Sequence, residues 1–381
     1  MTPGDISNRE KLYNPSAIAP GETAAIPFKI ERPAGEYIIK FINNQFQGIK
    51  NGEHTYTLAA GIDVFYADGR QSGIAKSDKV IIPEDVVAVD LRSANVSEVV
   101  TNSNPNALYY MDQDATVPAT LQGKNIIKGS TAETIALEEN HDLYVPYAFT
   151  AQAISYTMKP TVGTTGTGGW QTLVLPFEVS GITADGAAIT WQKNRGEKEF
   201  NFWLRQFSAV KDNNSVVFGY SDRMEAYTPY IVAFPSDKWG EAFNLVGKTV
   251  VFSGTDAMIA ASPRIQVSTS ELSFVGTTTQ ATAENAFVLN EAGDNFDYAA
   301  TTNVKPFSAY FRDKAAQPGA GSRRLKIVFD NGDNSDVATA IMSMHDAQRT
   351  ADNEVFDLQG RRVAQPSKGL YIVNGKKVII K

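Results

Sequence analysis

Apolar and polar residues alternate with period two along much of the chain. Ile26, Phe28 and Ile30 alternate with Pro27 and Lys29, and Tyr37, Ile39 and Phe41 with Ile38 and Lys40. Ile154, Tyr156 and Met158 alternate with Ser155, Thr157 and Lys159, and Leu325, Ile327 and Phe329 follow the same rule. Successive side chains of a strand point to opposite faces, so each run predicts a strand with one buried face. Two runs, Leu173-Val174-Leu175-Pro176-Phe177 and Tyr230-Ile231-Val232-Ala233-Phe234, are apolar at every position. They predict strands enclosed on both faces. Between the runs stand Asn51-Gly52, Asp68-Gly69, Asp185-Gly186, Asn331-Gly332 and Asn374-Gly375, pairs that tolerate the positive φ of tight hairpins. Pro20-Gly21 and Pro318-Gly319 mark further turns. Many short strands between such signals predict an all-β fold of sandwich or barrel type rather than βαβ units.

Two segments are candidate helices: residues 197–209, and residues 336–349 after Ser335 as N-cap. The polar stretch 101–106 breaks the strand patterning, and a second break lies at 330–336. These divide the chain into an N-terminal β-sandwich of immunoglobulin-like or similar type (1–103), a larger sandwich- or barrel-like module (104–335), and a linker with a basic β tail (336–381). The expected architecture is therefore two β-sandwich-like domains in tandem plus a short C-terminal β-hairpin tail. The glycine-rich stretch 161–169 lies between two strand patterns and reads as a long hairpin loop. No tandem repeat of fixed period is visible, although residues 82–100 have a repeat-like character.

A chain of 381 residues is long enough to bury a large core without covalent staples. It has no cysteine, which excludes disulfides, thiolate metal sites and cysteine nucleophiles together. The net charge of −7 argues against general nucleic-acid binding. No apolar run is long enough to form a transmembrane helix.

The candidate chemistry is sparse. His54, His141 and His345 are far apart, and none has a second histidine at metal-ligand spacing. His141 stands beside Glu138, Glu139 and Asp142, where a solvated loop histidine is the better reading than a metal ligand. Asp330, Asp333 and Asp336, and separately Asp294 and Asp297, are acidic loop clusters whose spacing does not match a calcium loop. No HExxH, Walker or GxSxG motif is present, and the glycines of 163–169 lack dinucleotide-binding spacing. No metal and no cofactor is expected. Trp170, Trp191, Trp203 and Trp239 could supply a sugar-stacking platform, but strand patterning favours core packing. Trp239, in a polar stretch, is the best candidate for an exposed ligand-binding ring.

The most specific segment is the last, "VFDLQGRRVAQPSKGLYIVNGKKVIIK", residues 355–381. It carries Arg361, Arg362, Lys368, Lys376, Lys377 and Lys381 against Asp357 alone, on an otherwise acidic chain. "GLYIV" and "KKVIIK" flank Asn374-Gly375, so the tail predicts three strands with a hairpin at that pair. The segment resembles the C-terminal ending of many exported and surface proteins of Bacteroidetes, with Asp357, Gly360, Arg361, Gly369, Tyr371, Asn374 and Gly375 among the matching positions. It is also similar to a shortened form of the sorting domain of type IX secretion. Residues 125–311 resemble a β-rich module of those proteins that often accompanies leucine-rich repeats, through "YVPYAFTAQAISYTM", "GWQTLVLPFEV", "EAYTPYIVAFP" and "VKPFSAYF". The resemblance implies a non-enzymatic secreted or cell-surface protein, extracellular or on the outer membrane, engaged in adhesion or ligand binding. Its expected partners are an extracellular protein or glycan and, through the tail, export machinery. The start of the chain has no apolar signal-peptide core, so an export signal is expected outside this sequence. Two alternatives stand beside it: a carbohydrate-binding accessory protein of a polysaccharide-utilisation system, and a glycoside hydrolase or peptidase with an unrecognised site.

Overall fold

A computed structural model describes residues 62–330, except 75–77, 95, 167, 213 and 315–323, together with three backbone strands of the tail within 355–380. The fold is all-β, and the described residues contain no α-helix. The expected strands near residues 26–41, the candidate helix 336–349, and His54 and His345 lie outside the described residues.

The described chain begins as a short solenoid. A hairpin of β1 (Ile62–Tyr66) and β2 (Gln71–Ile74) turns at Asp68-Gly69 as expected, with Gly69 at a φ of 83°. Then β3 (Lys79–Ile81), β4 (Val86–Asp90), β5 (Glu98–Val100), β6 (Leu108–Met111), a 3-10 turn (Ala119–Leu121) and β7 (Asn125–Lys128) wind as stacked coils. Parallel registers Val80↔Val99, Ala88↔Leu108 and Leu108↔Asn125 place equivalent residues above one another, at roughly 20 residues per coil, the short end of the solenoid range. Val80, Val86, Val89, Val99, Tyr109 and Leu121 fill the coil interior. The step varies from coil to coil, which is why no fixed period is visible in the sequence.

The polar stretch 101–106, expected as a domain boundary, lies inside this stack, bridged by the pairing of β4 with β6. Its polarity serves burial. The Asn102 side chain donates to the carbonyls of Pro83 and Val86 at 2.8 and 2.7 Å. Asn106, with no exposed surface, donates to the carbonyls of Glu138 and His141 at 2.9 and 2.8 Å and accepts from the Glu138 N–H at 2.7 Å. Asn125 bonds the Ala136 N–H and carbonyl in the same way. These amides satisfy backbone groups where the coils bend, groups that would be costly to bury unpaired.

The stack continues into β8 (Thr131–Glu138) and β9 (Phe149–Met158). Ile154, Tyr156 and Met158 point into the core as the alternation predicts. The chain then changes sheets. Residues 161–169, expected as a hairpin loop, instead cross from β9 in the first sheet to β10 (Trp170–Leu173) in the second. The crossing is pinned at buried Thr164, whose N–H donates to the Phe234 carbonyl at 2.7 Å. Its glycines have a packing reason. Gly168 and Gly169 hold φ of 71° and 75°, and a side chain on Gly168 would strike the Ala292 carbonyl.

Next come β11 (Gly181–Ala184), β12 (Ala187–Ala188), β13 (Trp203–Lys211), β14 (Ser215–Tyr220), β15 (Tyr230–Ala233), β16 (Val250–Ile259), β17 (Gln266–Ser268) and β18 (Leu272–Thr277). They are followed by β19 (Ala281–Leu289), β20 (Asn295–Val304), β21 (Ser308–Asp313) and β22 (Arg324–Phe329). Asp185 and Gly186, both at positive φ, make the expected two-residue hairpin between β11 and β12. Residues 197–209, a candidate helix, run into strand β13. Trp203, Leu204 and Phe207 are needed on two opposite faces, which a strand provides and a one-faced helix does not.

The first sheet has the order β12-β11-β16-β9-β8-β7-β6-β4-β1-β2, and the second β10-β15-β13-β14-β22-β20-β19-β21-β18-β17. The second sheet curls on itself. Rings of non-neighbouring strands meet inside it, Phe207 with Phe311 at 4.8 Å and Phe218 with Phe274 at 5.7 Å between centroids. The two cores share one wall, the strands β10-β15-β13 of the second sheet. Tyr230, Val232 and Phe234 of the β15 segment face the first core against Phe252 and Tyr156, while Ile231 and Ala233 face the second. The all-apolar pattern of this segment is thereby explained.

Two outcomes follow. Asn106→Ala removes the three hydrogen bonds of a fully buried amide, to two carbonyls and from one N–H, and should lower unfolding free energy by about 3 kcal/mol, read from urea denaturation. Burial pushes the Tyr109 and Tyr227 hydroxyls up to about 12 from the ordinary 10. Their folded values exceed their unfolded ones, so their stabilisation is complete below pH 10 and is lost as pH rises from 10 to 12. Absorbance titration of phenolate formation should show these tyrosines ionising only with unfolding in that window.

Candidate functional site

One polar cleft lies beside the seam of the two sheets. Its lining comes from three places in the sequence: the segment entering β11, the segment after β12, and the turn after β14. Val179 N–H donates to the Met224 carbonyl and Ser180 N–H to that of Ser253, fixing the first wall against the turn after β14 and against β16. Trp191 forms the floor. It is 7% exposed, and its indole N–H donates to the Ser221 carbonyl at 2.7 Å. The Lys193 ammonium stands 5.0 Å from the Trp191 ring centre, a cation over an aromatic face. At the rim the Arg223 guanidinium donates twice to Glu178 Oε1, at 3.0 and 3.2 Å. This pairing holds Arg223 above its ordinary value. Asp222 adds a second carboxylate to the lining.

The cleft has a volume of about 190 Å³, below the range of roughly 300–1,000 Å³ that encloses a whole small-molecule ligand. Charges of both signs, hydroxyls of Ser180 and Thr190, and an indole edge suit one sugar ring or one polar peptide side chain. The lining residues are far apart in sequence and share no motif, so sequence reading could single out only Trp191 among them, as one of four tryptophans.

Trp170 and Trp203 are core residues, 4% and 0% exposed. Trp239 is half-buried: its N–H donates to the Thr164 carbonyl at 2.8 Å and its ring lies 5.4 Å from that of Trp203. The four tryptophans therefore do not make a surface row. Asp294 accepts from the side-chain amides of Asn290 and Asn295 at 2.8 and 2.7 Å, and Asp297 pairs with Arg324 at 2.6 Å. The carbonyl of His141 serves Asn106. Of the tail positions, Gly369 and Tyr371 fall in a strand, whereas Asp357, Gly360, Arg361, Asn374 and Gly375 lie outside the described residues, as do Asp333 and Asp336. Among the described residues no helix is long and apolar enough to cross a membrane.

The tail forms its own sheet. Strands β23 (Val355–Phe356), β24 (Gly369–Val373) and β25 (Lys376–Ile380) pair antiparallel, with Val373 opposite Lys376 across the expected hairpin. No family model, curated protein or solved structure matches the chain.

Trp239→Phe, which deletes the N–H to Thr164, should cost about 1 kcal/mol in urea denaturation. A structural tryptophan predicts this loss with ligand capture on a glycan or matrix array unchanged.

Proposed function

We propose that the chain is a non-enzymatic, exported surface protein that binds an extracellular protein or glycan, with the tail as its address and the β body as its scaffold. The observation that carries this reading is the three-stranded tail sheet, whose strands among the described residues pair with neither large sheet. A segment with its own pairing and strong positive charge is suited to recognition by another component, and its sequence resembles the endings of exported surface proteins. The body supports the same reading. Two ten-stranded sheets are a rigid platform, and the cleft of Trp191, Lys193, Glu178 and Arg223 is sized for one residue of a larger partner. We take the body as two sheets joined through one wall rather than as tandem sandwiches.

The carbohydrate-accessory reading would rest on that cleft and its Trp191, since the four tryptophans make no surface row. The hydrolase reading would need converging carboxylates, and Glu178 is committed to Arg223.

Removal of residues 355–381 should leave the body folded, with an unchanged thermal transition, while surface display in a Bacteroidetes host falls at least tenfold by whole-cell antibody labelling. Equal display without the tail would refute its role as an address, and an insoluble body would make it part of the scaffold.

A further inference from the structure

Arg205 lies on the face of β13 that turns into the second core, two positions after Trp203, and has no exposed surface. Its terminal nitrogens are occupied. One donates to the carbonyls of Leu204 and Gln192 at 2.8 and 3.4 Å, the other to Gln192 Oε1 at 2.6 Å. The guanidinium lies 4.1 Å from the centre of the Tyr220 ring. These partners are all formally neutral, and no carboxylate pairs with Arg205 among the described residues. Burial pulls the guanidinium down to about 10, which leaves it cationic at neutral pH.

Among the described residues, two buried side-chain polar atoms have no hydrogen-bond partner, and both are donors: Arg205 Nε and Trp203 Nε1. They belong to neighbouring side chains on one face of one strand. A buried cation without a counter-charge is strongly disfavoured, and buried donors without acceptors in native proteins point to bound water or an ion. Water offers an acceptor but leaves the charge unbalanced. A small anion supplies both. The surroundings suit a weakly hydrated one, since Phe200 and Trp239 pack on Trp203 and aromatic edges carry partial positive charge. Gln192, which grips Arg205, has no exposed surface itself, so the cation is enclosed on that side as well.

We propose that Arg205 and Trp203 form a buried site for a small monovalent anion of halide type, which serves as the counter-ion of the second core. The site is separate from the binding role proposed above, and its failure would leave that role standing.

The test uses the full chain and sodium bromide. Thermal unfolding is compared between bromide and gluconate at equal ionic strength. The expected result is a rise of roughly 5 °C at a bromide concentration about 100 times the dissociation constant. Arg205→Met should abolish the bromide-specific rise. If that variant does not fold, bromide-soaked crystals of the unsubstituted chain decide, through an anomalous peak within hydrogen-bond distance of Arg205 Nε. An unfolding temperature of the unsubstituted chain indifferent to bromide, a rise that persists in Arg205→Met, or soaked crystals without that peak would overturn the proposal.

Discussion

The structure depends on a wall with two insides. The strands β10, β15 and β13 carry apolar side chains on both faces, one set packed against the first sheet and the other enclosed by the curl of the second. A strand whose two faces are both buried has no solvent-facing register, and a slip by one residue would exchange Tyr230 and Val232 for Ile231 and Ala233 between cores of different size. The wall therefore fixes the register of both sheets. It also explains why the chain leaves the first sheet after β9, crosses at Thr164, and returns to the first sheet with β11 and again with β16.

Where the backbone must turn inside such a body, buried polar side chains complete it. Asn102, Asn106 and Asn125 take the place of strand partners at the bends of the coils. At the crossing between sheets the half-buried Trp239 side chain does so, donating to the Thr164 carbonyl. Arg205 is the exception, since its charge exceeds what its neutral partners balance, and it is there that the structure points to something beyond the chain. The surface cleft differs in kind. Its charges are paired at the rim and open to solvent, as suits transient contact with a partner.

Much of the fold was legible from residue pattern. The strands around Ile154–Met158 and Leu325–Phe329, the doubly buried run at Tyr230, and the hairpins at Asp68-Gly69 and Asp185-Gly186 all follow from periodicity and turn chemistry. Two of the failures come from reading residue type without its packing. Residues 101–106 read as a domain boundary because they are polar, whereas the amides of Asn102 and Asn106 bond backbone groups and are buried. Residues 161–169 read as a loop because glycine suggests freedom, whereas Gly168 allows close approach to the Ala292 carbonyl and Gly169 close approach to the Thr164 backbone. The cleft was illegible because its three walls meet only after both sheets have formed. The tail was the reverse case, its pairing readable from a hairpin pair and two apolar runs.

The central physical claim is that both cores stand on one wall and so form a single cooperative body. Native-state hydrogen exchange tests it most directly, by comparing amides of β9, which belongs to the first core, with those of β20, which belongs to the second. The account predicts that the slowest amides of both strands exchange through one global opening, with equal free energies and equal denaturant dependence. Slow amides of β9 that open at a distinctly lower free energy, while β20 stays protected, would contradict it and show two independently stable units.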